Sequence, residues 1–343
     1  MPQNIYQTKN YFYFHYNNKN YILITYENNP LLLNQIYALH DFLINYGIPM
    51  HKIILNKDNN IITLINNKPY ILLQILYENS IDYNPSQSKK ITFQNLMPFI
   101  NFIIPQNLIT NKNSEFYLLA RHNLSFLWAQ KNDHLEYQIN QNNNKYPLIK
   151  ESFGYYIGLG ETAISFINNN DIKNIMYCPS HKRINKAFSY FDLYNPLNLV
   201  IDSRVRDAAE YFKSLFFQNE NIENQISNFL KKANLIKDEY IVFFARMLYP
   251  TYYFDIIENI IDGTAKEEEL KKIIDKVNDY EKLLKNIYQN LKQNFNEVIR
   301  QKKQMETILL HMNDGILAFN MEGKIIHINP AAKKLLKLVD FST

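Results

Sequence analysis

Residues 11–26 read YFYFHYNNKNYILITY, two aromatic and β-branched runs on either side of an Asn-rich turn, which is the pattern of a β-hairpin. Residues 31–47 then repeat leucine and isoleucine at helical spacing and end in a glycine, as an amphipathic helix with its C-cap does. Three short β-rich runs follow, HKIILNKD, NNIITLINN and KPYILLQILYE, separated by Asp and Asn turns. The sequence therefore predicts a β-rich unit with one helix over residues 1–78.

Beyond Tyr77 the apolar residues recur at helical spacing, which predicts a second, mostly α-helical unit over residues 79–283. Residues 175–211 interrupt this pattern with short apolar runs and turn residues, so any chemistry is expected there. The fold class that follows is α+β. We expect helices near residues 92–104, 114–140, 151–169, 203–217, 222–234 and 237–248.

The composition excludes several classes of protein. The chain has 343 residues, 46% of them hydrophobic, which indicates a globular protein of about two domains and an appendage. The formal charge is +4 with scattered basic residues, so we expect no nucleic-acid partner. Cys178 is the single cysteine, which excludes an internal disulfide and a cysteine-based zinc site and fits a reducing, cytoplasmic location.

Two further expectations come from glycine usage and hydropathy. Only 7 glycines are present, and the close ones, Gly158 and Gly160, lie inside a helical pattern, so a phosphate-binding loop of the Walker or dinucleotide type has no place in the chain. The N-terminus has no basic start followed by an apolar run, and no apolar stretch is long enough to span a bilayer. We therefore expect neither a secretion signal nor a membrane partner.

Residues 284–312 carry a heptad pattern. A lysine alone interrupts the apolar 4-3-4-3 spacing, which predicts a long linker helix that forms a parallel homodimer. The same stripe could instead pack on the protein's own core, and the spacing leaves both interpretations open. The seam positions are Leu284, Tyr288, Leu291, Phe295, Val298, Lys302, Met305, Leu309 and Met312.

Several phrases of residues 1–290 are similar to one family. They are GIPMHKIILNKDNNIITLINNKPYILLQ (47–74), LWAQKNDHLEYQ (127–138), ESFGYYIGLGETAI (151–164), CPSHKR (178–183) and IDSRVRDAAEY (201–211). They resemble the YutH and CotS branch of the aminoglycoside phosphotransferase and choline kinase group, the kinase-like proteins associated with bacterial spore coats. The resemblance implies a bilobal protein-kinase-like fold, with a small β-rich N-lobe, a large α-rich C-lobe and a hinge near Gln74.

Residues 300–343 contain the phrase DGILAFNMEGKIIHINPAA, which resembles the start of a PAS domain like those of sensor histidine kinases. By itself the phrase predicts a strand, a turn at Glu322 and Gly323, a second strand, and a helix that Pro330 begins after Asn329. A whole PAS fold has further strands. We therefore expect a partial PAS domain whose open sheet edge a partner covers.

Kinase chemistry needs a lysine on the phosphates and a helix carboxylate that holds it. The strand YILITY, where the resemblance places this lysine, has none, and Lys19 in the turn before it is a poor substitute. The next helix has Asn34 and Gln35 where the pairing carboxylate is expected. Both of these kinase groups are therefore missing from the predicted N-lobe.

The loop that resembles the family's catalytic motif is also degenerate. Arg183 occupies the position of the aspartate that accepts the hydroxyl proton in active members, and arginine cannot act as a base at neutral pH. His181, two residues earlier, could be a base in principle. Since no matched carboxylate is apparent, we interpret His181 as a loop residue hydrogen-bonded to the backbone.

Asp202 is the one kinase position that keeps its expected residue. The resemblance implies that Asp202 holds magnesium and so ATP, with Gln74 contacting the nucleotide at the hinge. Alternatively, Asp202 caps a helix that begins near Ser203, since aspartate is a favoured N-cap. Arg206 and Asp207 resemble the RD-A pair of this branch, for which we expect a buried, hydrogen-bonded, structural role.

Three functions remain open from the sequence. The leading hypothesis is a catalytically degenerate, kinase-like scaffold or binding module, cytoplasmic or on the spore coat, whose partners are coat or signalling proteins. The enzymatic alternative is a small-molecule phosphotransferase that binds Mg·ATP and uses an unusual base. The third is a PAS-containing signal-transduction protein whose helix and C-terminal segment set its output.

Overall fold

A computed structural model describes residues 3–7, 11–27, 29–77, 90–141, 145–185, 187–311, 314–319 and 323–337. The chain divides into two compact units, Met1–Leu284 and Lys285–Thr343. Both lobes expected from the sequence lie within the first unit. The predicted boundary between them, at residues 78 and 79, lies outside the described residues.

An antiparallel six-stranded sheet forms the N-lobe. Its strands are β1 (Gln3–Gln7), β2 (Tyr11–Tyr16), β3 (Lys19–Thr25), β4 (Lys52–Ile54), β5 (Ile62–Ile65) and β6 (Lys68–Ile75). The strand order is β1-β2-β3-β6-β4, and β5 also pairs with β6. Asn17 and Asn18, with φ of 49° and 58°, make the turn of the predicted hairpin. The sequence analysis missed β1, whose residues QNIYQ are mostly polar.

One helix, α1 (Pro30–Asn45), accompanies this sheet. The side chain of Asn29 caps it by accepting from the N–H of Leu31, and proline occupies its first position. His40 of α1 is buried, and its Nε2 accepts from the N–H of Ile53 in β4 at 3.3 Å. This bond ties the helix to the sheet.

The C-lobe is built from helices around one two-stranded hairpin. Its helices are α2 (Phe93–Ile100), α3 (Leu124–Gln141), α4 (Pro147–Asn168), α5 (Tyr190–Tyr194), α6 (Arg206–Phe217), α7 (Glu223–Lys232), α8 (Lys237–Leu248), α9 (Thr251–Ile261), α10 (Glu268–Ile274) and α11 (Val277–His311). The hairpin strands are β7 (Tyr177–His181) and β8 (Leu199–Ser203).

Two predicted helix starts are wrong, and each has a local reason. The helix expected from residue 114 begins at Leu124, because the preceding segment forms turns and a short 3₁₀ helix at Tyr117–Leu119. The helix expected from Ser203 begins at Arg206, because Ser203 is still paired in β8. Helix α9 was not predicted from the sequence.

Aromatic side chains fill the core of the C-lobe. Phe212, Phe243 and Phe254 are fully buried, and α8 packs against both α4 and α6. Helices α3 and α4 approach closely at Gly160, where a Cβ atom would lie 2.9 Å from Nδ2 of Asn132. Only glycine therefore fits at this crossing without displacing Asn132.

The second unit contains the end of α11 and a small hairpin with a helix. Its strands β9 (Leu317–Phe319) and β10 (Ile325–Ile328) are antiparallel and precede α12 (Pro330–Leu335). The Oδ1 atom of Asn329 accepts from the N–H groups of Ile316 and Ala332, so this residue both caps α12 and holds the hairpin. The observed order of strand, strand and helix is the predicted one; Glu322 of the predicted turn lies outside the described residues.

The predicted heptad segment lies within a continuous helix through His311. The side chains at seam positions 295, 298, 302, 305 and 309, and all of residue 312, lie outside the described part of the chain. The parallel coiled coil therefore stays a prediction. No helix in the described ranges combines the length and the apolar character that crossing a bilayer requires.

Candidate functional site

The β7–β8 hairpin carries the predicted site. His181 ends β7, and Asp202 lies near the end of β8, every residue of which is buried. Ala120 forms a further, parallel bridge with Ile201 in the middle of β8. The hairpin is thus held from a second side, which fixes the positions of His181 and Asp202 in the lobe.

His181 is buried, and both of its ring nitrogens face oxygen atoms. Nδ1 lies 2.6 Å from Oδ2 of Asp207, and Nε2 lies 3.0 Å from the backbone oxygen of Leu193. The backbone N–H of His181 donates to Oδ1 of Asp207 at 3.0 Å. Because a carbonyl oxygen only accepts, Nε2 must carry a proton, and it has no free lone pair with which to act as a base. This ring positions the loop.

Asp202 is buried between two arginines. Arg206 donates from Nη1 to Oδ2 at 2.9 Å, and Arg246 donates from Nη2 to Oδ1 at 2.5 Å. Burial alone would raise the pKa of the Asp202 carboxyl, but Arg246 and Arg206 together hold it below its ordinary value. The carboxylate is therefore ionised and fully paired at neutral pH.

Arg206 also joins the two halves of the hairpin. Its Nε donates to the backbone oxygen of His181 at 3.1 Å, and its Nη2 donates to that of Lys182 at 2.9 Å. Arg206 and Asp207 are both buried. Arg206 bonds the backbone oxygens of His181 and Lys182, and Asp207 contacts the backbone N–H and the ring of His181, so the pair holds the start of the loop in place. The capping alternative for Asp202 is wrong, because α6 begins at Arg206 and Val205 occupies its N-cap position.

The surroundings of Asp202 are those of an ion pair. Each carboxylate oxygen already accepts from a guanidinium, so a magnesium ion would have to displace an arginine. Across the described ranges, no group of three or more His, Cys, Asp or Glu side chains is arranged to hold a metal ion. Magnesium binding at Asp202 thus stays a prediction. The carboxylate that would bind the ion is already bonded to Arg206 and Arg246.

Arg183, which the resemblance aligns with the proton acceptor of active kinases, is ion-paired. Its Nη2 lies 3.1 Å from Oδ1 of Asp255 and 3.8 Å from Oε2 of Glu258, both on α9. Lys131 of α3 pairs with the same two carboxylates at 3.2 and 3.1 Å. Burial raises the pKa of Asp255 above its ordinary value, although Arg183 and Lys131 lower it.

The two phrases of α3 and α4 that resemble the family converge on the same core. The ring of Trp128 stacks on Tyr249 with centroids 4.2 Å apart. The guanidinium of Arg246 also lies over the Trp128 ring, with Cζ 5.9 Å from the ring centroid. Asn132 accepts from the Tyr249 hydroxyl at 3.0 Å and donates to Oε1 of Glu161 at 2.7 Å. These residues support Arg246, and through it Asp202.

Helix α5 occupies the space beneath the N-lobe sheet. The buried side chains of Tyr13, Ile22 and Ile75, on β2, β3 and β6, form a cluster against which Phe191 of α5 packs. The cluster includes the end of β6, which leads into the predicted hinge. An aromatic side chain of the C-lobe therefore covers this face of the sheet.

A second set of aromatic contacts closes the hinge side. The ring of His51 stacks on Phe191 with centroids 5.5 Å apart. The backbone N–H of His51 donates to the backbone oxygen of Tyr194 at 2.8 Å. Tyr194 in turn lies 4.4 Å from the ring of Tyr77. Burial lowers the pKa of His51 to about 3, so this ring is neutral at physiological pH and packs as an apolar group.

The remaining predicted positions of the N-lobe lie in helix α1 and in the sheet. Gln35 accepts from the N–H of Leu118 at 2.7 Å and so links α1 to the C-lobe, while Asn34 is exposed. Lys19 is the exposed first residue of β3. Gln74 lies between Tyr21 and Lys52 in the sheet register. None of these four positions supplies the carboxylate–lysine pair of an active kinase.

Sequence reasoning missed Arg246 and Asp255. Arg246 lies 44 residues beyond Asp202, so no local spacing connects them. A usable signal existed in the phrase IVFFARML, residues 241–248, because a lone cation inside an apolar helical run requires a buried counter-charge.

Residues 1–287 match the model of a protein family described as "Spore coat putative kinase YutH". The chain belongs to this family. A YutH relative, the endospore coat-associated protein YutH of Bacillus subtilis (strain 168), is 27% identical over 151 residues, which are 39% of this chain and 44% of that protein. The match therefore spans less than half of the relative's length.

The YutH fold is kinase-like. The crystal structure of an aminoglycoside phosphotransferase from Alicyclobacillus acidocaldarius subsp. acidocaldarius DSM 446 superposes with a TM-score of 0.57 at 11% identity, covering 85% of this chain and 93% of that one. This confirms the predicted α+β, bilobal, kinase-like architecture. At such low identity the likeness concerns the fold alone.

Proposed function

We propose that this chain is a catalytically inactive, kinase-like binding module. The observation that carries the proposal is the pairing of Asp202 with Arg206 and Arg246. Phosphoryl transfer depends on a carboxylate that holds magnesium against the phosphates. In this chain the expected carboxylate has become the centre of a buried ion-pair cluster, whose cations repel Mg²⁺.

Two further features support the loss of catalysis. Arg183 replaces the proton acceptor and is paired with Asp255, so it cannot assist proton transfer from a substrate hydroxyl. Phe191 and Tyr194 pack on the sheet and hinge where the kinase resemblance places the nucleotide. Binding of ATP would require α5 to move away from both.

The family and the coat-associated relative support an assignment to the spore coat. A module without catalysis acts through surfaces, so its partners would be other coat proteins. The predicted heptad over residues 284–312 would supply a homodimer contact. In this proposal the folded first unit is the binding body and the helix joins two copies of it.

Differential scanning fluorimetry of the full chain with ATP and Mg²⁺ tests the proposal. A ligand at 100 times its Kd adds about 2.7 kcal/mol to stability, a rise in Tm of several degrees at about 2–4 °C per kcal/mol. We expect no magnesium-dependent rise at millimolar ATP. A rise that disappears in Asp202→Asn, together with ATP turnover, would contradict the proposal.

One observation favours the enzymatic alternative. Asp255 lies beside the degenerate loop with its pKa raised by burial, as a carboxylate base requires. An active small-molecule phosphotransferase would use Asp255 as the unusual base and Asp202 for Mg·ATP. The same fluorimetry distinguishes the two functions, since only the enzyme needs a nucleotide.

A PAS-like role for the second unit is supported by its hairpin and helix. The order β9, β10 and α12 fits the start of a PAS domain. Asn329 accepts hydrogen bonds from Ile316, which precedes β9, and from Ala332 in α12. We infer that residues 300–343 form a partial PAS segment that receives a signal or a partner. This inference is independent of catalysis in the first unit.

Deletion of residues 299–343 tests whether this segment matters for assembly. The first unit has its own core, so we expect the Tm of the shortened chain to stay within a few degrees of the full chain. If the segment and the second half of the heptad mediate dimerisation, analytical ultracentrifugation should show a dimer become a monomer. If the shortened chain has the same number of protomers per particle as the full chain, the segment has no role in dimerisation.

A further inference from the structure

A cavity of about 170 Å³ lies in the first unit, beside the open end of the β7–β8 hairpin. The end of α4, the loop that precedes β7, and α8 form one wall, which is aliphatic and includes Ile167, Ile172 and Val242. The opposite wall is polar and includes Arg121 and Ser203. Small-molecule sites have this combination of an apolar wall and a few polar groups.

The loop that closes the aliphatic wall is anchored. Oδ2 of Asp238, at the start of α8, accepts from the N–H of Lys173 at 2.9 Å and from the N–H of Asn174 at 2.8 Å. Ile172 and Ile175 on this loop are therefore held in place on either side of the anchor. The cavity is preformed, so ligand binding would cost little free energy for ordering the loop.

Arg121 supplies a cation to the polar wall, and within the described part of the chain its side chain has no partner. Its backbone N–H donates to the oxygen of Ile201, which fixes the residue beside β8. Throughout the described ranges its guanidinium makes neither a hydrogen bond nor an ion pair. A half-buried guanidinium without an acceptor is unusual, because desolvation of a charge is costly unless an opposite charge compensates it.

The neighbours of Arg121 increase this imbalance. Burial is the main reason that the pKa of Arg121 falls to about 10, and repulsion from Arg206 and Arg246 adds to it. Asp202 acts in the opposite direction, but both of its carboxylate oxygens are already bonded to those two arginines. Asp202, which also lines the cavity, is thus bonded to Arg206 and Arg246 and not to Arg121, so the free guanidinium of Arg121 can accept an anion.

We infer that this cavity binds a small organic anion, whose carboxylate or phosphate group pairs with Arg121 while its apolar body packs on the isoleucine wall. The volume sets the size of the body, since an apolar cavity of about 150 Å³ accepts benzene. The ligand is therefore a single ring or a chain of similar bulk. The bidentate fork of arginine suits either acidic group.

Isothermal titration calorimetry of the full chain with benzoate, without nucleotide or Mg²⁺, tests this inference. We expect saturable binding that weakens about 10- to 100-fold in Arg121→Gln, as loss of a hydrogen bond to a charged group predicts. Arg121→Lys keeps the charge and should recover part of the affinity. Benzamide, which has the same shape without the charge, should bind less tightly than benzoate.

Phenyl phosphate and inorganic phosphate separate the possible sources of the anion. Tighter binding of phenyl phosphate than of benzoate would identify a phosphate ester as the ligand class, and the reverse a carboxylate. Binding of inorganic phosphate as tight as that of either organic anion would refute the apolar half of the inference. No saturable heat with any of the three anions at 10 mM would overturn the whole of it.

Two controls separate ligand binding from stability. Lys112 is exposed and does not line the cavity, so Lys112→Gln removes one positive charge and should leave benzoate binding unchanged. Because the Arg121 side chain has no partner among the residues that the structure describes, Arg121→Gln should melt no lower than the wild type in the absence of ligand. A large fall in its Tm would instead assign Arg121 a structural role. Since no nucleotide is present, this result does not depend on whether the kinase-like cleft is active.

Discussion

Replacement of Asp202 by alanine is expected to destabilise the protein by about 3–5 kcal/mol, the usual cost of removing one partner of a buried ion pair. Arg206 and Arg246 would remain buried, each having lost its carboxylate partner. Urea unfolding of the full chain, followed by tryptophan fluorescence, measures the change. Trp128 is the single tryptophan and lies beside Arg246, so it reports on this region directly.

A control and a double variant sharpen the Asp202 experiment. Asp133 is exposed on α3, and Asp133→Ala should change the free energy of unfolding by less than about 0.5 kcal/mol. Asp202→Ala combined with Arg246→Ala should cost less than the sum of the two single changes, because the pair is coupled. If Asp202 were instead kept for magnesium, its removal in metal-free buffer would be neutral or stabilising.

The free energy of unfolding measured at acidic pH tests the same ion pair in a second way. Although burial opposes them, Arg246 and Arg206 hold the pKa of Asp202 below the unfolded value of about 3.9. A depressed pKa contributes stability that is fully present above the unfolded pKa and is lost as pH falls through the folded pKa. The difference in unfolding free energy between wild type and Asp202→Asn should therefore be constant at neutral pH and shrink below about pH 4.

Much of the fold follows from local patterns. The hairpin of residues 11–26 and helix α1 depend on residues close in sequence, an Asn-Asn turn and an aliphatic stripe, and both are found as predicted. Strand β1 has too few apolar residues to show alternation. It forms because β2 offers a free edge to pair with, which is information outside the strand itself.

The candidate site shows where sequence reasoning ends. The resemblance placed Asp202 at a strand end, where β8 has it. His181, interpreted as a loop residue without a matched carboxylate, is instead the last residue of β7 and contacts Asp207. The resemblance could not reveal that Arg246 pairs with Asp202 or that Phe191 packs under the N-lobe sheet. Both contacts join segments that are distant in sequence. The spacing of residues in the sequence therefore does not identify the partner of Arg246 or of Phe191.

The second large effect is expected from Asp207→Ala. Asp207 accepts from the backbone N–H of His181, and its Oδ2 lies 2.6 Å from Nδ1 of the same buried residue. Leaving a buried polar group unsatisfied costs about 1–3 kcal/mol, so the loss of both contacts predicts about 2–6 kcal/mol. Asp207→Asn keeps one acceptor oxygen for the backbone N–H and should cost less. Urea unfolding of the two variants measures the difference.

The consequence should extend from the loop to α5. His181 connects Asp207 to the backbone oxygen of Leu193, and α5 carries the Phe191 ring that covers the N-lobe sheet. Without Asp207 the histidine ring loses its orientation, and α5 loses the bond that holds it under the sheet. Limited chymotrypsin digestion should then cut near Phe191 faster in Asp207→Ala than in wild type, at a urea concentration where both remain folded.

A matched variant separates this local effect from global loss of stability. Phe212→Ala removes a fully buried ring of the C-lobe core and should cost about 3–5 kcal/mol, similar to Asp207→Ala, without touching the His181 bonds. If cleavage near Phe191 accelerates equally in both variants, α5 is released only by global unfolding. Faster cleavage in Asp207→Ala alone would show that the bonds of His181 to Asp207 and Leu193 hold α5 against the N-lobe sheet, which is the structural role that the proposed inactive module requires.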